Sequence, residues 1–254
     1  MKVSIITAVF SNKRFLPDAI SSVLEQTYSD IEYIIVDGGS KDGTVELVES
    51  YGKQIDLFIS EPDDGVYFAL NKGIAKATGD IIALLHSDDF YMNNRVISQV
   101  VEAFEQTSCD ALYANLYYIS NSNPDRIVRT WDAGVYHDRS YYRGFMPPHP
   151  VFFVKREIYE KYGAFNTSLR FAADYELMLR LMLKHKIKVH YLPKYFVRMR
   201  TGGKSNRTLW NRIQANIEDR KAWKINGLNP RWYTLLLKPL IKIFQYRIVS
   251  QRLR

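Results

Sequence analysis

The sequence predicts an α/β protein: a mixed, mainly parallel sheet flanked by helices and followed by a helical tail at the C-terminus. Three observations predict it. Short apolar runs at residues 3–10, 32–37 and 80–85 suit strands covered on both faces. Helical periodicities separate these runs, giving βαβαβ alternation. Acidic or glycine-bearing clusters follow the runs, at the strand ends where parallel sheets gather their ligands.

In order along the chain, Met1-Lys2 and the run 3–10 are too short for a signal sequence and read as a first strand. Phe15, Leu16, Ile20, Val23 and Leu24 recur at helical spacing, and residues 44–51 and 67–77 form the next two helices. The second half changes character. Residues 111–120 and 127–131 are tyrosine-rich strands, Pro147-Pro148-His149-Pro150 interrupts the chain before a strand at 151–154, and 156–162 and 172–184 are helical. Residues 201–205 form a glycine-bearing loop. No Pro/Gly/Ser linker separates the halves, so 1–205 is expected to be one domain of two lobes, 1–110 and 111–205, followed by a basic amphipathic tail at 206–254.

Composition sets further bounds. With 46% hydrophobic and 24% charged residues in a chain of 254, a packed core is expected and disorder is not. The single cysteine, Cys109, excludes an internal disulfide and a cysteine zinc site, and agrees with a reducing, cytoplasmic compartment. The net charge of +8 is matched by eight basic and no acidic residues between 221 and 254. That charge sits in a lipophilic tail without a nucleic-acid-binding motif, so nucleic acid is not an expected partner.

Four clusters carry candidate chemistry. Asp37-Gly38-Gly39 follows the second strand, with glycines that allow tight turns; it also reads as an ordinary turn and helix cap. Glu61-Pro62-Asp63-Asp64-Gly65 opens the helix carrying Asn71-Lys72-Gly73. His86-Ser87-Asp88-Asp89 directly follows the third apolar run. Adjacent carboxylates there repel unless a cation joins them, and aspartates suit Mg2+ or Mn2+ whose shell a diphosphate completes. A solvated turn is the plain alternative, and His86 by itself reads as a packing or capping residue. Ala173-Asp174-Tyr175-Glu176 is the fourth cluster; capping of its helix is the alternative role for Asp174.

Ser4-Ile-Ile-Thr-Ala-Val-Phe10, Ser22-Val-Leu-Glu-Gln-Thr27, Val36-Asp-Gly-Gly-Ser-Lys-Asp-Gly-Thr44, the Glu61–Gly65 and Asn71–Gly73 segments, Ser87-Asp88-Asp89 and Ala173-Asp174-Tyr-Glu-Leu177 together resemble the family 2 inverting glycosyltransferases of GT-A, Rossmann-like fold. The resemblance runs from about residue 2 to 205 and is nearest to bacterial enzymes of surface polysaccharide synthesis. It implies a nucleotide-sugar donor, UDP-linked by family habit, a divalent metal (Mn2+ or Mg2+) and a glycan or lipid-linked acceptor. By position, Thr7, Ala8, Asp37, Asp64 and Lys72 would form the nucleotide site, Asp88 the ribose side, Asp89 the metal ligand and Asp174 the general base. Ser87 stands where a stricter DxD motif has its first aspartate, and Ala173 where a glutamate is common.

His149 is expected near the acceptor or, equally, as a packing residue, and Gly203 and Lys204 in a loop that closes on the diphosphate or is a plain surface loop. Arg198 occupies the place where a P-loop ending in Gly203-Lys204-Ser205 would need glycine, so a P-loop is excluded. Residues 231–244 mix aromatic, aliphatic and basic side chains in runs too short to span a bilayer. Peripheral contact with the inner face of the cytoplasmic membrane is expected, with packing on the domain or on a second subunit of a homo-oligomer as the alternative. The competing function is a non-catalytic nucleotide-sugar-binding subunit of a polysaccharide assembly complex.

Overall fold

Alternation along the first strand explains the whole architecture. In β1 (Val3–Val9) every residue is buried, Ile6 and Ala8 on one face of the sheet and Ile5 and Val9 on the other. In β2 (Ile31–Asp37) Ile34 and Val36 join the first group, Tyr33 and Ile35 the second. Apolar side chains on both faces require helices on both faces, and two cores sandwich the sheet. The computed structural model describes residues 1–202 and 209–244.

Strands β3 (Leu57–Ser60) and β4 (Ile81–Leu84) complete a parallel set in the order β3-β2-β1-β4. Helix α1 (Leu16–Leu24) turns Leu16, Ala19, Ile20 and Val23 inward, α2 (Thr44–Ser50) buries Thr44 and Val48, and α3 (Val66–Lys76) presses on β1 through Gly73. A methyl group at Gly73 would stand 2.4 Å from Cγ2 of Ile6, so only glycine permits this approach. After β5 (Phe90–Tyr91), helix α4 (Val96–Thr107) covers the other face. It starts only at Val96 because Asn93 and Asn94 are spent on a turn: Asn93 Oδ1 accepts the Arg95 N–H at 2.9 Å and the Asn94 carbonyl accepts Thr27 N–H at 2.8 Å.

The second half extends the sheet. Strands β6 (Ala111–Ile119), β7 (Ile127–Trp131), β8 (Phe152–Lys155) and β9 (Val189–Arg200) give the full order β3-β2-β1-β4-β8-β6-β9-β5, with β7 on β6. β8 runs antiparallel to both β4 and β6, while β9 lies parallel to β6. Between them stand α5 (Arg156–Tyr162) and α6 (Ala173–Met178), the latter continuing as a π-helix over Leu179–Lys184.

Helix α7 (Leu209–Ile225) and α8 (Thr234–Phe244) occupy the region expected to be a tail. α7 is instead part of the core. Ala222 and Trp223 are fully buried, Trp223 Nε1 donates to the Tyr175 hydroxyl at 2.9 Å, and Asn226 Nδ2 donates to Glu176 at 2.9 Å. Glu218 accepts the N–H groups of Arg170, Phe171 and Ala172 at 3.1, 2.7 and 3.0 Å, holding the segment that starts α6. α8 is tied down by Thr234 Oγ1 to the Tyr142 carbonyl at 2.8 Å and by Lys238 to Asp219 at 2.6 Å.

Candidate active site

The loops leaving β1, β2, β3 and β4 interlock at the carboxyl edge of the parallel set. Asp37, last in β2, is wholly buried. Its Oδ2 accepts the Gly39 and Ser40 N–H groups at 3.0 and 2.9 Å and the Ser60 hydroxyl at 2.8 Å, and its Oδ1 accepts the Ser40 hydroxyl. The carboxylate therefore builds the turn, with Oδ2 fully taken and one lone pair remaining on Oδ1. Gly39 sits at φ +83°, a conformation that favours glycine. Over Gly38 stands the carboxylate of Asp63, with Oδ1 accepting the Gly65 N–H at 3.0 Å and Oδ2 buried with no donor among the described residues. Asp64, the residue singled out from the sequence, is exposed; Asp63 is the member of the pair against the Asp37 turn. Lys72 pairs with Glu61 at 2.8 Å on the same rim.

Thr7 and Ala8 are interior. The Thr7 hydroxyl meets the Tyr33 hydroxyl at 3.2 Å with both residues buried, and Ala8 packs with Ile34 and Val36, so neither side chain lines an open surface. The rim is closed by the next loop instead: Ser11 N–H donates to Ser40 Oγ at 2.7 Å and Asn12 Nδ2 to Ser87 Oγ at 2.9 Å.

Ser87 begins the acidic turn after β4. Asp89 is 1% exposed, its Oδ1 accepts the Arg200 N–H at 3.1 Å, and its buried Oδ2 has no donor among the described residues. Burial and the neighbouring Asp88 charge push the Asp89 carboxyl well above the usual range, against the opposing pull of Arg200. Arg200 also donates Nη1 to the Asp88 carbonyl at 2.8 Å, pairs with Asp18, and stacks over Phe15 and Phe90. Among the described residues no three acidic, histidine or cysteine side chains form a ready metal cage. The orphaned Oδ2 of Asp89 still fits a hard cation that takes one protein carboxylate and completes its shell from phosphates and water.

The third part of the site reaches Asp174 through two histidines. Asp174 Oδ1 accepts the Tyr175 N–H at 2.8 Å and the Tyr67 hydroxyl at 3.3 Å. Its Oδ2 lies 3.3 Å from His149 Nδ1, and His149 Nε2 lies 2.7 Å from His86 Nε2. Burial, followed by the nearby His149, brings the His86 imidazole down to about 4, leaving it neutral near pH 7. Contacts thus run unbroken from Asp37 through Ser40, Ser11-Asn12, Ser87 and His86 to Asp174. Sequence reasoning missed Asp63, Tyr67 and Arg200 and gave His86 only a packing role; the one available signal was that His86 adjoins Ser87-Asp88-Asp89. Gly203 and Lys204 lie outside the described residues.

A family model described as "Glycosyl transferase family 2" matches residues 4–168. The chain is 32% identical over 183 residues to an uncharacterized glycosyltransferase of Mycobacterium tuberculosis, covering 71% of this chain and 69% of that one. It is 26% identical over 193 residues to a PGL/p-HBAD biosynthesis glycosyltransferase of Mycobacterium bovis, covering 74% and 73%. Among solved structures it is similar to S. aureus TarS 1-349 in complex with UDP, at TM-score 0.68 and 17% identity over 93% of this chain and 68% of that one. The mannosyltransferase PcManGT from Pyrobaculum calidifontis, in complex with GDP-Man and Mn2+, is similar at TM-score 0.65 and 17% identity over 98% and 70%. At such identities the solved structures speak for the fold alone.

Proposed function

The chain belongs to glycosyl transferase family 2 and has a GT-A fold, and on that premise we propose that it is a metal-assisted, inverting hexosyltransferase. The reading has it move a sugar from a nucleoside diphosphate, UDP before others, to a hydroxyl of a glycan or lipid-linked acceptor in surface polysaccharide synthesis. The observation that carries it is the contact chain that runs from Asp89, whose N–H donates to the His86 carbonyl at 3.0 Å and whose Oδ2 has no donor among the described residues, through His86 and His149 to Asp174, whose Oδ2 has a lone pair left for an acceptor hydroxyl.

In this reading Asp63 and the Asp37 turn receive the base and ribose, with Asp88 on the ribose side and Lys72 at the rim. Asp89 Oδ2 would hold Mn2+ or Mg2+, which when bound would offset charge developing on the diphosphate. Asp174 takes the proton as the acceptor oxygen attacks the anomeric carbon and the sugar–phosphate bond breaks on the opposite face. A single displacement turns an α-linked donor into a β-linked product. Release of nucleoside diphosphate from a panel of nucleotide sugars with Mn2+ tests the activity. Asp174→Asn is expected to lower turnover by about 100-fold or more with donor binding retained; near wild-type turnover in a folded variant removes the base assignment.

The proposal includes attachment to the inner face of the cytoplasmic membrane. Among the described residues no helix is long and apolar enough to cross a bilayer. Trp210, Ile213 and Ile217 of α7, Trp232 before α8, and Leu236 and Leu240 of α8 are nevertheless exposed. The two acidic residues between 209 and 244, Glu218 and Asp219, are engaged inward, leaving a basic and apolar surface suited to anionic lipid. Co-sedimentation with anionic vesicles that survives Trp232→Glu together with Leu236→Glu would remove this attachment.

A further inference from the structure

We propose that His149 and His86 form a positioning bridge, in which His149 orients the carboxylate of Asp174 and His86, from the donor loop, orients His149. The proposal rests on Asp174 being the general base.

The bridge follows from the sheet. β4 and β8 are antiparallel neighbours with Ile82 opposite Val154, so the residue just past the end of β4 arrives beside the residues just before β8. His86, two residues past β4, and His149, three residues before β8, come together in this way. His149 opens a single 3-10 turn, His149–Val151, with Pro148 before it and Pro150 inside it, and two fixed proline rings restrict where its ring can go. The imidazoles meet edge to face, 70° between planes, with 2.7 Å between their Nε2 atoms. One proton must lie between those nitrogens.

Asp174 needs such a partner. Its Oδ1 is held by Tyr175 N–H and Tyr67, while His149 Nδ1 at 3.3 Å is the described contact of Oδ2, the oxygen with a lone pair to spare. Losing His149 frees that oxygen to rotate away from the acceptor, and losing His86 frees the His149 ring. A partner of this kind tunes a reacting group without touching substrate. The same bridge joins the acceptor base to the loop carrying Asp88 and Asp89, placing both halves of the reaction in one hydrogen-bonded frame.

Steady-state kinetics of the full chain test the bridge. His149→Phe, which loses both nitrogens, is expected to lower kcat by about tenfold or more with donor KM within about twofold. His149→Asn keeps a donor near the Nδ1 position and is expected to recover part of that loss. His86→Phe is expected to lower kcat several-fold in the wild-type background and to add nothing in the His149→Asn background. Wild-type kcat in His149→Phe and His86→Phe, additive losses, or a loss confined to donor KM overturns the proposal. Asp174→Asn, measured alongside, separates the two levels. If it stays active, the base reading has failed; if it is inactive while both histidine variants match wild type, the bridge alone has failed.

Discussion

The backbone N–H of Arg200 donates to Oδ1 of Asp89 at 3.1 Å, while among the described residues no donor reaches the buried Oδ2 of the same carboxylate. The end of β9 is thereby fastened to the turn after β4. One oxygen of Asp89 is committed to the fold, and the other is the one proposed to meet the cation.

Such an oxygen costs stability. Burial and Asp88 raise the Asp89 carboxyl well above its usual range, so the folded state is penalised for carrying the charge. The penalty is absent below the ordinary carboxylate range and grows as pH rises through it. Asp89→Asn keeps the Oδ1 acceptor and removes the charge. In metal-free buffer at neutral pH the variant is expected to melt about 2–6 °C above wild type and to lose sugar transfer. A lower melting temperature, or retained transfer, contradicts the assignment.

Glu32 behaves in the opposite sense. Burial alone would raise it, but hydrogen bonds from Ser4, from the Thr78 N–H and hydroxyl and from Lys2 together outweigh burial and bring it to about 2. A carboxyl depressed in the fold contributes stability that is present above its unfolded value, near 4, and is lost as pH falls toward 2. Acid unfolding of wild type should therefore steepen between those limits. Glu32→Gln is expected to be less stable at pH 7 by roughly 1–3 kcal/mol and to show a flatter acid limb; an unchanged limb refutes the linkage.

Gly73 is a packing requirement. Gly73→Ala would place a methyl 2.4 Å from Ile6 Cγ2, between α3 and β1, and is expected to cost about 1–3 kcal/mol. Ile6→Ala in the same chain opens the space, so the double variant should lose less than the two single losses combined. Additive losses in denaturant melts would show that the close approach is not the cause.

These cases also show what a sequence carries. β1, β2 and β4 were legible because parallel strands buried on both faces need unbroken apolar runs. β9 was not: its first half carries Tyr191, Pro193 and Lys194, and its place beside β6 depends on pairing 78 residues away in sequence, as between Ala111 and Val189. The carboxylates Asp37, Asp89 and Asp174 stood out by type and place. What each one meets did not, because Arg200, His149 and Asp63 reach the site through tertiary contacts that no local pattern encodes. The basic charge beyond residue 220 drew attention outward, whereas Trp223 and Asn226 turn inward onto α6.

Glu218 ties that inward contact to the helix of the proposed base. Its carboxylate takes three N–H groups from residues 170–172, at 2.7 to 3.1 Å, directly before the helix that carries Asp174. Glu218→Ala leaves these donors unpaired and is expected to lower stability by about 2 kcal/mol, or roughly 4–8 °C, and to reduce kcat without raising donor KM. Deletion after residue 205 should abolish activity in solution for the same reason, since it removes Glu218, Trp223 and Asn226 together. Deletion after Leu228 spares all three and discards only α8 and the basic segment beyond it. Transfer to a soluble acceptor that survives the shorter deletion and fails with the longer one separates the helix that supports the proposed base from the surface proposed to meet lipid. Equal loss from both would mean that α8 is needed to hold α7 in place.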